Sequence, residues 1–77
     1  MKANQTLDCI GLYCPMPIVK TAEQIKQLKQ GEVLEVISDD VGIKKDMPAW
    51  CNATGHEFLG IEEDSGEFKV YVKKTHA

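Results

Sequence analysis

The sequence predicts an α/β (α+β) fold, a two-layer sandwich in the order β-α-β-α-β-β over a four-stranded mixed sheet, and three observations carry that expectation. Apolar residues recur at helical spacing after Pro15. A short β-branched run, Val33-Leu-Glu-Val-Ile37, has the composition of a buried strand. Two later runs flank Asp64-Ser65-Gly66, a hairpin signal with glycine placed for a left-handed turn. With 77 residues the chain reads as one domain, 1–77. A chain of this length buries only about 60% of the surface it exposes when unfolded, so two layers are the economical arrangement and a deep cleft is not expected.

Taken in order, the first strand is expected at Ala3 to Leu7, ended by Asp8 and the Gly11 region. A loop from Asp8 to Tyr13 leads to Cys14. Ile18, Val19, Ala22, Ile25 and Leu28 then form an apolar stripe opposite Lys20, Glu23, Gln24, Lys26 and Gln27, predicting a helix that runs to Gly31. The strand Val33 to Ile37 is expected beside the first, in parallel, through a right-handed crossover.

Ser38-Asp39-Asp40 read as capping residues for a second helix carrying Val41, Ile43, Met47, Trp50 and Cys51. A proline inside a helix removes one hydrogen bond and its ring crowds the carbonyl four residues earlier. Pro48 therefore predicts a turn at residues 40 to 45 and a restart with Asp46 as N-cap. Gly55 is the expected stop. His56 to Glu63 and Glu67 to Lys74 complete the sheet, the last strand alternating Phe68, Val70 and Val72 with Lys69, Tyr71 and Lys73.

The chemistry concentrates at Leu12-Tyr13-Cys14-Pro15-Met16-Pro17. Proline fits the first turn of a helix because its missing N–H would have had no partner there. That places Cys14 at the N-cap, Pro15, Met16 and Pro17 at the next three positions, and leaves the amides of Cys14 and Met16 as the free donors. A thiol at the positive end of a helix dipole is favoured as the thiolate, the form that attacks sulfur. Asp8 opposes that shift if it lies near, and Lys20 is either a solvated lysine or a docking charge. Met16, Pro15 and Pro17 are supporting residues that hold the sulfur outward, or simply start the helix.

Cys9, separated from Cys14 by four residues, is a candidate secondary thiol. Cys51 falls on an apolar stripe and reads as core. Cys9-x4-Cys14 and Cys51-x4-His56 offer three cysteines and a histidine, but at the wide edge of zinc-ligand spacing, so no metal and no cofactor is assigned. His56 reads as a strand-entry residue. Three cysteines without an apolar leader in the first residues suggest free thiols and a reducing, cytoplasmic setting.

Net charge is −3, with nine lysines and no arginine, which disfavours direct nucleic-acid binding. No run approaches a membrane span. A protein partner is expected.

Leu7-Asp8, Gly11-Leu12, the Cys14-Pro15-Met16-Pro17 motif, Gly31, Asp39-Asp40, Asp46-Met47-Pro48, Trp50-Cys51 and Gly55-His56 together resemble the TusA/SirA-like sulfur carriers over nearly the whole chain. The resemblance implies a two-layer sandwich whose Cys14 accepts sulfane sulfur as a persulfide. It implies a donor such as a cysteine desulfurase or a rhodanese-like enzyme, and an acceptor protein in tRNA thiolation or another branch of sulfur metabolism. Such a chain is a covalent carrier, classed in places as a sulfurtransferase, rather than an enzyme acting on a small molecule. Tyr13, where arginine is frequent in the tRNA-thiolation branch, and the extra Cys9 depart from that branch. The alternatives are an RNA-binding or regulatory module, since the element order also resembles a domain of a bacterial translation initiation factor, and a thiol-redox or selenium partner using the same cysteine.

Overall fold

A computed structural model describes residues 2–13 and 15–76. Its elements are β1 (Gln5–Asp8), α1 (Met16–Gln24), β2 (Val33–Ser38), α2 (Ile43–Thr54), β3 (Glu57–Asp64) and β4 (Glu67–Lys73), with a 3-10 turn at Ile25–Gln27 after α1. The four strands form one mixed sheet in the order β1-β2-β4-β3. β1 runs parallel to β2, Leu7 facing Val36, as the crossover through α1 requires; β4 is antiparallel to both β2 and β3.

Both helices share one side of the sheet. Leu34 and Val36 of β2 and Phe68, Val70 and Val72 of β4 turn one face of the sheet into a core that also takes Ile25 and Leu28 from the first helical segment and Ile43, Met47 and Cys51 from α2. The period-two alternation of the strands thus feeds one apolar layer. At roughly 1.5–3 kcal/mol for each fully buried large aliphatic side chain, this layer is the main term opposing chain entropy.

Three elements differ from expectation. The regular part of α1 stops at Gln24 rather than running to Gly31, because the chain tightens into the 3-10 turn. Residues three apart eclipse one another in that geometry, which stacks Ile25 and Leu28 onto one side, and both are buried. Leu28 then turns extended (φ −87°, ψ 156°), and Gly31, at φ +92°, serves the turn into β2 instead of capping the helix. The exposed side of α1 also takes Val19, which the stripe had placed inward; Pro17 and Thr21 fill the buried positions.

In α2 there is no restart at Asp46. The helix is continuous from Ile43 to Thr54, with Gly42 at the N-cap and Pro48 inside it. The entry turn is wound with shorter bonds, Ile43, Lys44 and Lys45 donating to the carbonyls three residues earlier, and the Lys44 carbonyl forgoes only the single bond that Pro48 lacks. Keeping one rod buries Ile43, Met47 and Cys51 together, which outweighs that loss. Gly55 ends it at φ +84°, its N–H on the Cys51 carbonyl, as expected.

The third difference is on the open face of the sheet. Tyr71 alternates outward with Lys69 and Lys73 but is only 2% exposed. Gly60 pairs with it across the β3–β4 ladder, beside an irregularity in register between Phe58 and Gly60, so β3 sets no side chain directly opposite the ring, while Glu35 faces it from β2. Its hydroxyl lies 2.7 Å from Glu35 Oε2 and 2.9 Å from Glu62 Oε1. The hairpin itself closes through Ser65 (φ 52°) and Gly66 (φ 81°), the two left-handed residues that a tight turn matching strand twist demands.

Candidate functional site

The parallel strands β1 and β2 end on the same edge of the sheet, so the loop into α1 and the loop into α2 emerge side by side. Two carboxylates organise that edge. Asp8 Oδ1 accepts the Ile10 N–H at 2.9 Å, and Asp39 Oδ1 accepts the Gly11 N–H at 3.0 Å, joining one loop to the other. Gly11 takes φ +84°, which a side chain would strain. Asp40 Oδ1 accepts the Gly42 N–H at 3.1 Å, and Ser38 Oγ accepts the Asp40 N–H at 3.1 Å. Asp40 thus holds the turn ahead of α2 rather than capping it, since Gly42 is the N-cap and no side chain caps it, and Asp39 is a strut between loops.

The loop from Cys9 is anchored at both ends. The Cys9 N–H donates to the Ile37 carbonyl at 2.7 Å, and the Leu12 N–H donates back to the Cys9 carbonyl at 3.1 Å. Cys9 is 0% exposed, and its thiol is pushed up first by burial and then by the Asp8 charge, with Lys20 drawing it the other way. Any chemistry at Cys9 requires this loop to open. The charges of Asp8 and Lys20 thus bear on Cys9, in opposite senses. Cys51 is 1% exposed with its thiol raised to about 11 by burial, the behaviour of a core residue.

Cys14, the centre of the sequence argument, lies outside the described residues, and so does any pairing of it with Cys9. Its neighbours in the chain are described. Tyr13 is 76% exposed, and Pro15 and Met16 are exposed too. The helix frame is one residue later than expected: Pro15 occupies the N-cap (φ −94°, ψ 10°), Met16 is the first helical residue, and Pro17 is the second and is buried. The reason is a turn ahead of the helix, the Met16 N–H donating to the Tyr13 carbonyl at 2.8 Å.

That bond corrects a second expectation. The Met16 amide is not free, Pro17 has none, and the Ile18 and Val19 amides both donate to the Pro15 carbonyl at 3.1 Å. The opening of α1 offers its neighbourhood an aligned set of peptide dipoles rather than a loose N–H.

The loops and helix opening at this edge carry an exposed apolar collar, and spacing alone did not reveal it. Ile10, Tyr13, Met16, Val19 and Val41 are the exposed large hydrophobic residues among those described, and all belong to the two loops or the first turn of α1. Helical periodicity had assigned Val19 and Val41 to buried stripes. No group of three or more His, Cys, Asp or Glu among the described residues is placed to hold a metal ion. Cys51 belongs to the core, and His56 lies at the far end of α2, at the entry to β3 as expected. No described helix is long and apolar enough to cross a membrane.

Comparison with known proteins follows the same outline. A family model described as Sulfurtransferase TusA matches residues 5–74. Bacillus subtilis YrkF is 49% identical over 74 residues, but the chain spans only 40% of that protein; Bacillus subtilis YrkI is 39% identical and is covered over 99% of its length. The sulfur carrier protein TusA of Pseudomonas entomophila is 38% identical over 71 residues, 92% of this chain and 89% of that one. The crystal structure of a SirA-like protein from Desulfitobacterium hafniense superposes with a TM-score of 0.80 at 22% identity, covering 94% of this chain and 99% of that one, and shares its fold.

Proposed function

The chain belongs to the sulfurtransferase TusA family, and on that premise we propose that it is a sulfur carrier whose Cys14 holds sulfane sulfur as a persulfide between a donor and an acceptor protein. The observation that supports this reading is the apolar collar of Ile10, Tyr13, Met16, Val19 and Val41, carried by the loops and helix opening at the edge where the chain places a cysteine followed by two prolines. A carrier must present one sulfur to two partners in turn. It needs a surface that docks a protein and no cavity that encloses a substrate.

The transfer balances without an external oxidant. The Cys14 thiolate attacks the terminal sulfur of a donor persulfide; a new S–S bond forms as the donor's S–S bond breaks, and the donor sulfur leaves as thiolate. An acceptor thiolate then repeats the step on the Cys14 persulfide and restores Cys14. The field at the opening of α1 favours the thiolate in each free state. Pro15 and Pro17 stiffen the approach, which lowers the ordering cost of docking. A cysteine desulfurase or a rhodanese-like enzyme is the donor, and the acceptor serves tRNA thiolation or another branch of sulfur metabolism.

Intact mass spectrometry tests the reading. After incubation with a cysteine desulfurase and cysteine, the chain gains one sulfur atom, the gain is reversed by dithiothreitol, and Cys14→Ala gains none. Equal loading of Cys14→Ala, or no loading by either desulfurase or rhodanese donors, overturns it.

A further inference from the structure

At the end of the sandwich away from the collar, the last turns of both helices and the segment after β4 line an open cavity of about 380 Å³. Ile25 lies about 13 Å along the helical path from Met16, at 1.5 Å per residue, so this cavity is separate from the cysteine edge. Its walls are unusual for so small a protein. Trp50 stacks on His56 with ring centroids 5.6 Å apart, and His56 stacks on His76 at 4.3 Å, making a continuous aromatic wall. Ile25 supplies an aliphatic floor, and Lys26 and Lys74 complete the lining.

Among the described residues, its formally charged lining groups are two lysines, Lys26 and Lys74. Lys74 is only 7% exposed, and among the described residues the partner of its ammonium is a single neutral group, the Leu28 carbonyl at 2.7 Å. A buried ammonium ordinarily has a carboxylate beside it, because leaving a charge uncompensated in a low-dielectric site is costly. No Asp or Glu lines this cavity among the described residues. His56 Nδ1 accepts the Thr75 N–H at 3.4 Å, leaving the ring proton on Nε2, while His76 Nε2 donates to the Thr54 carbonyl at 2.7 Å. The His56 pKa is lowered by burial, by His76 and by Lys74, as expected of a ring already surrounded by positive charge.

We propose that this cavity binds a small organic anion with a flat aromatic body and one carboxylate, the ring lying against Trp50, His56 and His76 and the carboxylate meeting the Lys74 ammonium. The size suits a one- or two-ring compound. Apolar stacking supplies affinity to any such ring, and Lys74 supplies the preference for the charged form. The site works independently of Cys14, so its occupancy does not depend on the carrier reading.

The test is a titration of the isotope-labelled chain with benzoate and 2-naphthoate, against benzamide and 2-naphthamide as uncharged controls, followed by NMR of the Trp50 indole N–H and the His56 ring. Trp50 is the only tryptophan, so its resonance is unambiguous. The acids are expected to give saturable shifts at both residues and to bind about tenfold more tightly than the amides, the margin of one charge-assisted hydrogen bond. Lys74→Met is expected to abolish that margin while keeping amide binding, and Cys14→Ala to bind as the unaltered chain does. No saturable shift below about 10 mM, on the scale of a very weak ligand, overturns the proposal. So does equal affinity for acid and amide, or a folded Lys74→Met that keeps the margin. If Lys74→Met does not fold, the acid-to-amide ratio in the unaltered chain decides alone.

Discussion

Asp39 accepts the backbone N–H of Gly11 at 3.0 Å across 28 residues of sequence, and this one bond joins the loop that leads to the Cys14 position with the loop that opens α2. Both loops carry the exposed collar, so the bond sets how its two halves stand to each other.

Asp39→Ala is expected to cost about 1 kcal/mol or less of stability, since the contact is exposed, and to slow sulfur loading several-fold by loosening the loop. Urea denaturation and a timed intact-mass assay measure the two effects. A loading rate unchanged in the folded variant would show that the strut plays no part in presenting the thiol.

The two prolines are expected to separate in their effects. Pro17 is buried at the second helical position, so Pro17→Ala should cost about 1–2 kcal/mol, while exposed Pro15→Ala stays within about 0.5 kcal/mol. The double variant tests positioning. If it loads sulfur at the original rate while folded, the prolines serve only to start the helix.

Thiol reactivity should divide sharply. Cys9 and Cys51 are buried with raised pKa values, Cys51 to about 11, so brief native alkylation at pH 8 is expected to modify Cys14 alone and alkylation in urea all three. Peptide mapping reads the sites. Modification of Cys9 as fast as Cys14 would reveal an opening of the 9–13 loop and revive its candidacy as a second functional thiol.

The phenol of Tyr71 is held between Glu35 and Glu62, and it has one proton to donate. Its pKa is raised by burial and by the two carboxylates, so its contribution to stability is complete below the ordinary value of 10.0 and is lost as pH rises beyond it. Glu62 is shifted down, chiefly by the Tyr71 hydrogen bond; its contribution is present above the ordinary 4.5 and is lost as pH falls through the lowered value. Tyr71→Phe is therefore expected to lower the thermal midpoint at neutral pH and to flatten the decline above pH 10. Parallel melting profiles for both proteins across that range would contradict the assignment.

Much of this was legible in the chain. The Val33 to Ile37 run, the stop at Gly55 and the turn at Ser65-Gly66 each carry a local cause and appear where that cause puts them, and the stripe after Pro15 does begin a helix, though one that ends at Gln24 and leaves Val19 exposed. The failures share a different cause. Pro48 is unfavourable locally, yet α2 stays whole because Ile43, Met47 and Cys51 must reach one core together. Tyr71 looks like a solvent-facing member of an alternating strand, yet Gly60 on the neighbouring strand makes room for its burial. Val19 and Val41 fit buried stripes by spacing, yet both are exposed in the folded chain.

By itself the sequence determined the element types, the parallel pairing of the first two strands and the cysteine placed before two prolines, because periodicity, proline and glycine act over a few residues. Only the tertiary structure decided that Asp39 braces Gly11 and that Ile25, Trp50, Lys74 and His76 line one cavity. Those relations join residues far apart in the chain, and no local preference encodes a distance that exists only after the layers have packed.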